Sequence, residues 1–368
     1  MGAFFTIGST KKRPGVYFRY EDYGTPLIAG ADDGKCAAVF QSNSGPVDKV
    51  VVLESYNDAI KVFGDGKEDG AEMVLEQFNG GARKVYAYAV RLVGDGEAYG
   101  AAFEALEAYR WNVLSIDTTD SDIQSAMQNY LNRVYNDGKF VMGVIGGEKT
   151  SENDSFETRC GDASTHGDYQ IVYVGTGFVD AKGNEYEGAL AAARVAGLIA
   201  GTPSNQSITH MAVKGAVDLT EPLTNGQYEH AIEKGMLTFS TSSAGTVWVE
   251  QGINTLTEPG TDPGWQKIKR VKVRFELMQR LNDTVEGLVG RVNNDPDGRM
   301  TIIQCANAVC NQMVAEHKLL AGAHCEIDPD NAPNGDSAWF LILADDIDAL
   351  EKMYFTFKFR FAPDNQTA

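Results

Sequence analysis

The chain has 368 residues, 43% hydrophobic and 23% charged, and its 51 acidic against 32 basic residues give a formal net charge of −19. A field of that sign repels phosphate backbones and anionic lipid, which argues against a general nucleic-acid or membrane-surface role. No stretch approaches the roughly 20 apolar residues of a membrane span; "MGAFFTIGSTKKRPGVYF" puts apolar residues before basic ones and reads poorly as a signal peptide; five scattered cysteines fit reduced thiols better than a disulfide or zinc framework.

Residues 1–30 are mixed. A polar, basic "STKKRPG" precedes "VYFRY", where Val16, Phe18 and Tyr20 alternate with Tyr17 and Arg19 in the period of a short strand. From 31 to 245 the pattern is α/β. Strands are expected at "CAAVFQ" and "KVVVLE", then short helices around "NDAIKVF" and "GAEMVLEQF", closed by Gly80-Gly81. Strand "KVYAYAV", helix "EAYGAAFEALEAYR", strand "NVLSID", helix "DSDIQSAMQNYLNRVYNDG" and strand "FVMGVIGG" follow through short polar loops, which indicates βαβ units and a parallel sheet. "YQIVYVG", a hairpin-like "FVDAKGNEY" and the Ala-rich helix "ALAAARVAGLIAG" continue it.

From 246 to 353 the style becomes α+β. "GTVWVEQGINTLT" reads as a strand, and the loop "EPGTDPG" leads into a long helix, "WQKIKRVKVRFELMQRLNDTVEGLV". Ile268, Val271, Phe275, Met278, Leu281 and Val285 fall close to one face of that helix. A second helix is expected over about 299–320, then strands "AHCEID" and "AWFLILA". In the last stretch, 354–368, Phe355, Phe357, Phe359 and Phe361 alternate with Thr356, Lys358 and Arg360. This is a strand with one apolar face, set at an end that frays unless something holds it.

Signatures of catalysis are missing. "FGDGKEDG" and "VGTGFVDAKG" lack dinucleotide-loop spacing, there is no phosphate loop or GxSxG elbow, and the histidines sit in no metal-binding pattern. Asn293, Asp295, Asp297 and Gly298 match the first positions of an EF-hand loop, but Gln304 stands where a bidentate carboxylate is required, so a polar turn capping a helix is the better reading. Lys267, Lys269, Arg270, Lys272 and Arg274 concentrate positive charge in an acidic protein. They read either as a solvated helix face or as a patch that docks on an acidic surface of a neighbouring copy or another protein.

"RPGVYFRYED", "LAAARVAGLIAGTPSNQSITH", "GTVWVEQGINTLT" and "GLVGRVNNDPDGR" stand in the order found in contractile tail sheath proteins. Over nearly its whole length the chain resembles the smaller sheaths of bacteriophages and phage-tail-like bacteriocins. The resemblance implies a structural subunit without cofactor or catalysis. Such subunits polymerise with copies of themselves as helically stacked hexameric rings around an inner tail tube, and contract to drive the tube through a bacterial envelope. Baseplate and tail terminator proteins are the further partners implied, with no nucleic acid and no membrane contacted directly. The implied place is a virion tail or phage-tail-like particle, assembled in the host bacterial cytoplasm.

The resemblance also implies an outer domain, 31–245, inserted between residues 1–30 and an inner sheath domain, 246–353. Terminal arms, about 10–24 and 354–363, would add strands to sheets of neighbouring subunits. The strand-exchange residues would be Val16, Phe18 and Tyr20 on one arm and Phe355, Phe357, Phe359 and Phe361 on the other, each phenylalanine contributing roughly 1.5–3 kcal/mol if fully buried. Tube or neighbour contact would fall to the helix at 299–320 and to Lys267, Lys269, Arg270, Lys272 and Arg274. The alternative is a soluble α/β enzyme with an appended oligomerisation domain.

Overall fold

The computed structural model describes residues 34–64, 71–91, 96–147, 156–258 and 260–359, and the backbone of two short parallel strands near the start, β1 (Ala3–Phe4) and β2 (Tyr17–Phe18). The main body then runs β3 (Lys35–Gln41), β4 (Val50–Leu53), α1 (Tyr56–Phe63), α2 (Glu72–Gly80), β5 (Lys84–Val90), α3 (Gly96–Glu107), β6 (Val113–Ile116), α4 (Ser121–Asn136) and β7 (Met142–Gly146). It continues with α5 (Phe156–His166), β8 (Ile171–Val174), β9 (Phe178–Asp180), β10 (Glu185–Tyr186), α6 (Gly188–Gly201), β11 (Ala216–Leu219), α7 (Asn225–Glu233), β12 (Met236–Leu237), β13 (Phe239–Thr241) and β14 (Val247–Val249). A 3-10 turn, Pro263–Gln266, leads to α8 (Ile268–Glu286), α9 (Pro296–Ala315), β15 (His324–Ile327) and β16 (Phe340–Leu343).

Seven strands form the central sheet in the order β12-β8-β7-β6-β3-β5-β4, parallel except for β4 at one edge. The unbroken apolar run in β3 fits this position, because a parallel sheet covered on both faces buries every residue of its central strands. Cys36, Ala38 and Phe40 enter the core on one face, and Ala37 and Val39 enter the core on the other. Helices α3, α4, α5 and α7 cover the second face through residues such as Phe103, Leu131, Ala163 and Ala231. Helices α2, α6 and the start of α8 cover the first.

Small residues set how close α2 and α6 lie. A Cβ on Gly197 would stand 2.1 Å from the Gln77 carbonyl oxygen, and one on Gly80 would stand 2.3 Å from that of Arg194. The alanine-rich composition of α6 therefore serves near-total burial between the sheet and α2.

The boundary expected between 245 and 246 falls inside the β13–β14 hairpin, where Thr241 pairs with Val247. Ile268, Val271 and Phe275 of α8 belong to the same core as the central sheet. Phe275 also closes an aromatic cluster with Tyr135, Phe140 and Tyr169, at centroid distances of 5.8, 6.1 and 6.1 Å. A separate smaller core, built on Val273, Val309, Cys310, Met313 and Leu319, begins on the next face of α8.

Of the strand expected at "GTVWVEQGINTLT", only Val247–Val249 enters a ladder. The rest is buried irregular chain with its polar groups matched internally: Asn254 Nδ2 donates to the carbonyls of Tyr169 (3.1 Å) and Trp265 (2.6 Å), and Thr255 Oγ1 to that of Asp168 (2.9 Å). Helix α9 begins at Pro296, ahead of the expected 299, because Asp295 accepts from the Gly298 N–H at 2.7 Å and proline suits the first helical position. The EF-hand look-alike is this cap. Helices α5 and α7 and strands β11, β12 and β13 have no counterpart among the expected elements.

Candidate functional site

In an open parallel sheet, ligands bind beyond the carboxyl ends of the strands, where the direction of winding reverses. Here that point lies between β3 and β6, since the chain passes from β3 to β5 on one side and returns through α3 to β6 on the other. Buried Tyr99 of α3 fills it, donating its hydroxyl to Asp117 at 2.5 Å and accepting from Gln41 Nε2 at 3.2 Å. The second Asp117 oxygen accepts the Gln41 backbone N–H at 2.6 Å. Burial pushes the Asp117 carboxyl up in spite of these bonds. The crevice is thus occupied by a closed polar network of the chain's own residues.

The last two strands stand apart from the central sheet. β15 and β16 form an antiparallel pair, with Cys325 opposite Ile342 and Glu326 opposite Leu341. Cys325 is buried and Ile342 packs on the smaller core, while Trp339 and Leu343 are exposed. Among the described residues no further strand pairs with either edge. A two-stranded ribbon is marginally stable alone, and a free edge is a template for another strand.

Beyond β16 the chain runs along α8 as an acidic strap, 345–351. Leu320 N–H donates to the Asp345 carbonyl at 2.8 Å, and Ile347 N–H to that of Lys318 at 2.9 Å. The basic stretch meets this strap. Arg270 and Arg274 both hold Asp346, at 3.1 and 3.0 Å, and Arg274 also reaches Asp262 at 2.7 Å while lying 4.3 Å over the Trp265 ring. Lys267 pairs with Asp348 at 2.7 Å, and buried Lys269 donates to the Ile347 carbonyl. Lys272 turns the other way, to the carbonyls of Ile199 (2.5 Å) and Thr202. Burial would raise the Asp346 carboxyl, but Arg270 and Arg274 overcome it and hold the group below the usual carboxylate range. All five cations are therefore engaged within the chain, with the side chains of Lys267, Arg270 and Arg274 still 24%, 21% and 17% exposed.

A second charged group joins α8 to the end of α9, and no local pattern in the sequence announces it. Arg280 donates to both oxygens of Glu316 at 3.0 and 2.8 Å, and Lys318 bridges Glu276 and Glu316 at 2.7 Å each. Burial alone would raise Glu316; hydrogen bonds and charge from Arg280 and Lys318 instead hold it down at about 2.

Past the strap, the aromatic segment touches little. Phe355, Phe357 and Phe359 are 76%, 75% and 89% exposed, and 354–359 enters no strand, because no ladder partner lies beside it. The rings of Phe357 and Phe359 stack at 6.2 Å, on one side of the chain, as alternate residues of an extended segment do. Val16, Tyr20 and Phe361 lie outside the described residues, and Phe18 is described only through its backbone in β2. Among the described residues no group of three His, Cys, Asp or Glu could hold a metal ion, and no helix is long and apolar enough to cross a membrane.

Residues 94–255 match the family model described as phage tail sheath protein central domain. The chain is 27% identical over 271 residues, 70% of its length, to the uncharacterized protein YqbK of Bacillus subtilis (strain 168), and spans about half (54%) of that relative. Its fold is similar to that of a sheath tail protein from Desulfitobacterium hafniense, with TM-score 0.70 and 16% identity over 90% of this chain and 100% of that one. It is similar also to the helical sheath of the anti-feeding prophage in its contracted state, with TM-score 0.71 and 13% identity over 95% of this chain and 99% of that one.

Proposed function

We infer that this chain, whose residues 94–255 match the phage tail sheath central-domain model, is a structural subunit of a contractile tail sheath. The observation that carries the reading is one exposed aromatic segment beside a two-stranded sheet with which, among the described residues, no further strand pairs; Asn307 of α9 already accepts the Cys325 N–H of β15 at 2.7 Å, which leaves β16 as the edge open to a partner. Strand addition would supply backbone hydrogen bonds for affinity and alternating side chains for register. Laid along β16 of a second copy, residues 354–359 would bring Phe355, Phe357 and Phe359 onto an apolar face that includes Trp339 and Leu343. The N-terminal segment containing Val16, Phe18 and Tyr20 would act in the same way on another neighbour. Donor and acceptor are different surfaces, so the contact is head-to-tail and propagates into rings and helices.

In this reading hexameric rings stack around an inner tube from a baseplate to a terminator, in a particle assembled within the host bacterium. Contraction is a bistable repacking of rigid bodies joined by exchanged strands, with no chemistry by this chain. Tube contact is assigned to α9, which exposes Met300, since the basic stretch 267–274 is already occupied. Negative-stain microscopy tests the proposal. Full-length protein should form long striated tubes or short cog-like cylinders, and deletion of 354–368 should leave a folded monomer. Tubes formed by the truncated chain would refute strand exchange through the C-terminus.

A further inference from the structure

Two motifs of the sequence, "TPSNQSITH" and "VWVEQGIN", have no task in the assembly contacts described so far. The fold brings them together around one side chain of the strap. Thr209 Oγ1 donates to Glu351 Oε1 at 2.8 Å, and Ser207 Oγ lies 3.1 Å from the same oxygen. Lys267 Nζ stands 3.0 Å from Oε2, with Gln251 Nε2 at 3.5 Å. The receiving groups are themselves fixed, since Thr209 Oγ1 accepts the Gly252 N–H at 3.0 Å and Ser207 Oγ accepts the Thr209 N–H at 3.1 Å. The Glu351 side chain is only 9% exposed, although Leu350 before it is 78% exposed and residues 352–359 after it are all exposed.

We propose that Ser207, Thr209, Gln251 and Lys267 form a carboxylate socket for Glu351, which roots the aromatic segment at a fixed point and direction on the body. Charge-assisted hydrogen bonds suit the task because they are directional, whereas an apolar anchor would let the strap slide. Fixing the root removes disorder that docking of the segment would otherwise have to remove, which favours binding without adding a contact. Glu351 is thus a positioning residue. Its importance for polymerisation rests on the assembly proposed above, but the socket can be tested in the free chain.

The test is amide hydrogen exchange of the full-length chain carrying Glu351→Ala, Glu351→Gln, Thr209→Val or Lys267→Met, with circular dichroism as the control for folding. Glu351→Ala should leave the central sheet protected and speed exchange at 347–353 by about tenfold or more, as expected for local opening. Glu351→Gln keeps the shape and one acceptor, and should fall between alanine and the parent. Thr209→Val and Lys267→Met should each loosen the same residues, and Thr209→Val combined with Glu351→Ala should do no more than the alanine alone, since Thr209 reaches the strap through Glu351 whereas Lys267 also holds Asp348. Unchanged exchange at 347–353 in Glu351→Ala and Lys267→Met would overturn the socket. Microscopy separates the two proposals. Loosened exchange with tubes forming at the parent's protein concentration would overturn the positioning role, whereas failure of the parent chain to form any polymer would overturn the assembly reading and leave the socket standing.

Discussion

Arg194 and Glu76 face each other across α6 and α2 with side chains 5% and 3% exposed. Arg194 Nε reaches Glu76 at 2.9 Å, Nη1 donates to the Lys214 carbonyl at 2.6 Å, and the guanidinium lies 5.0 Å over the Phe178 ring. Burial raises the Glu76 carboxyl, while Arg194 and Asn79 oppose that rise. Removing one partner of such a pair leaves an uncompensated buried charge, so Arg194→Met should cost about 3–5 kcal/mol in urea unfolding. Adding Glu76→Gln should recover part of the loss, because the charge left without a partner is then gone. A double mutant as unstable as the sum of the singles would remove this explanation. "ALAAARVAGLIAG" is legible as a helix, but the burial of its arginine is not. The partner lies 118 residues away and nothing local names it.

At the scale of elements, α8 shows where periodicity stops being informative. The sequence suggests one apolar face, yet the helix has two contacts: Ile268, Val271 and Phe275 on the central core, and Val273, Leu277 and Leu281 on the smaller core with α9. Its cations belong to the strap, and Glu276 and Arg280 to the network with Glu316 and Lys318. Six of the seven strands of the central sheet, all but β12, are legible because apolar runs such as "CAAVF" and "VYAYAV" carry their burial in composition. Helix α5 is not, since "FETRCGDASTH" holds glycine, aspartate, serine and threonine, all weak helix formers. The α8–α9 junction should be acid-sensitive. Glu316 is lowered from 4.5 to about 2 in the fold, so its contribution is complete above about 4.5 and is lost as pH falls through about 2. Glu316→Gln should be less stable than the parent at neutral pH and should flatten the decline between those two pH values, followed by urea midpoints. A parallel decline in both proteins would assign the acid sensitivity to other carboxylates.

At the scale of the whole molecule, the distribution of charge decides how the protein can meet its neighbours. With a net charge of −19, and with Lys267, Arg270 and Arg274 neutralised by acids of the same chain, no surplus of positive charge is left at 267–274 to offset the acidic excess. Two accounts of the basic stretch then predict opposite behaviour for Lys269→Glu combined with Arg270→Glu. If those residues formed an external docking patch, the free chain would keep its strap and lose only association. The geometry expects the strap itself to be expelled, because the new carboxylates would face the Ile347 carbonyl and Asp346. Limited proteolysis of the unassembled variant should therefore cut at 345–353 at least about tenfold faster than the parent, in keeping with a local opening, while the central sheet stays resistant. Polymerisation should fail as a consequence, since the aromatic segment would leave from an unfixed root. A strap that stays protected in a variant unable to polymerise would return these cations to the outer surface and make them a direct contact.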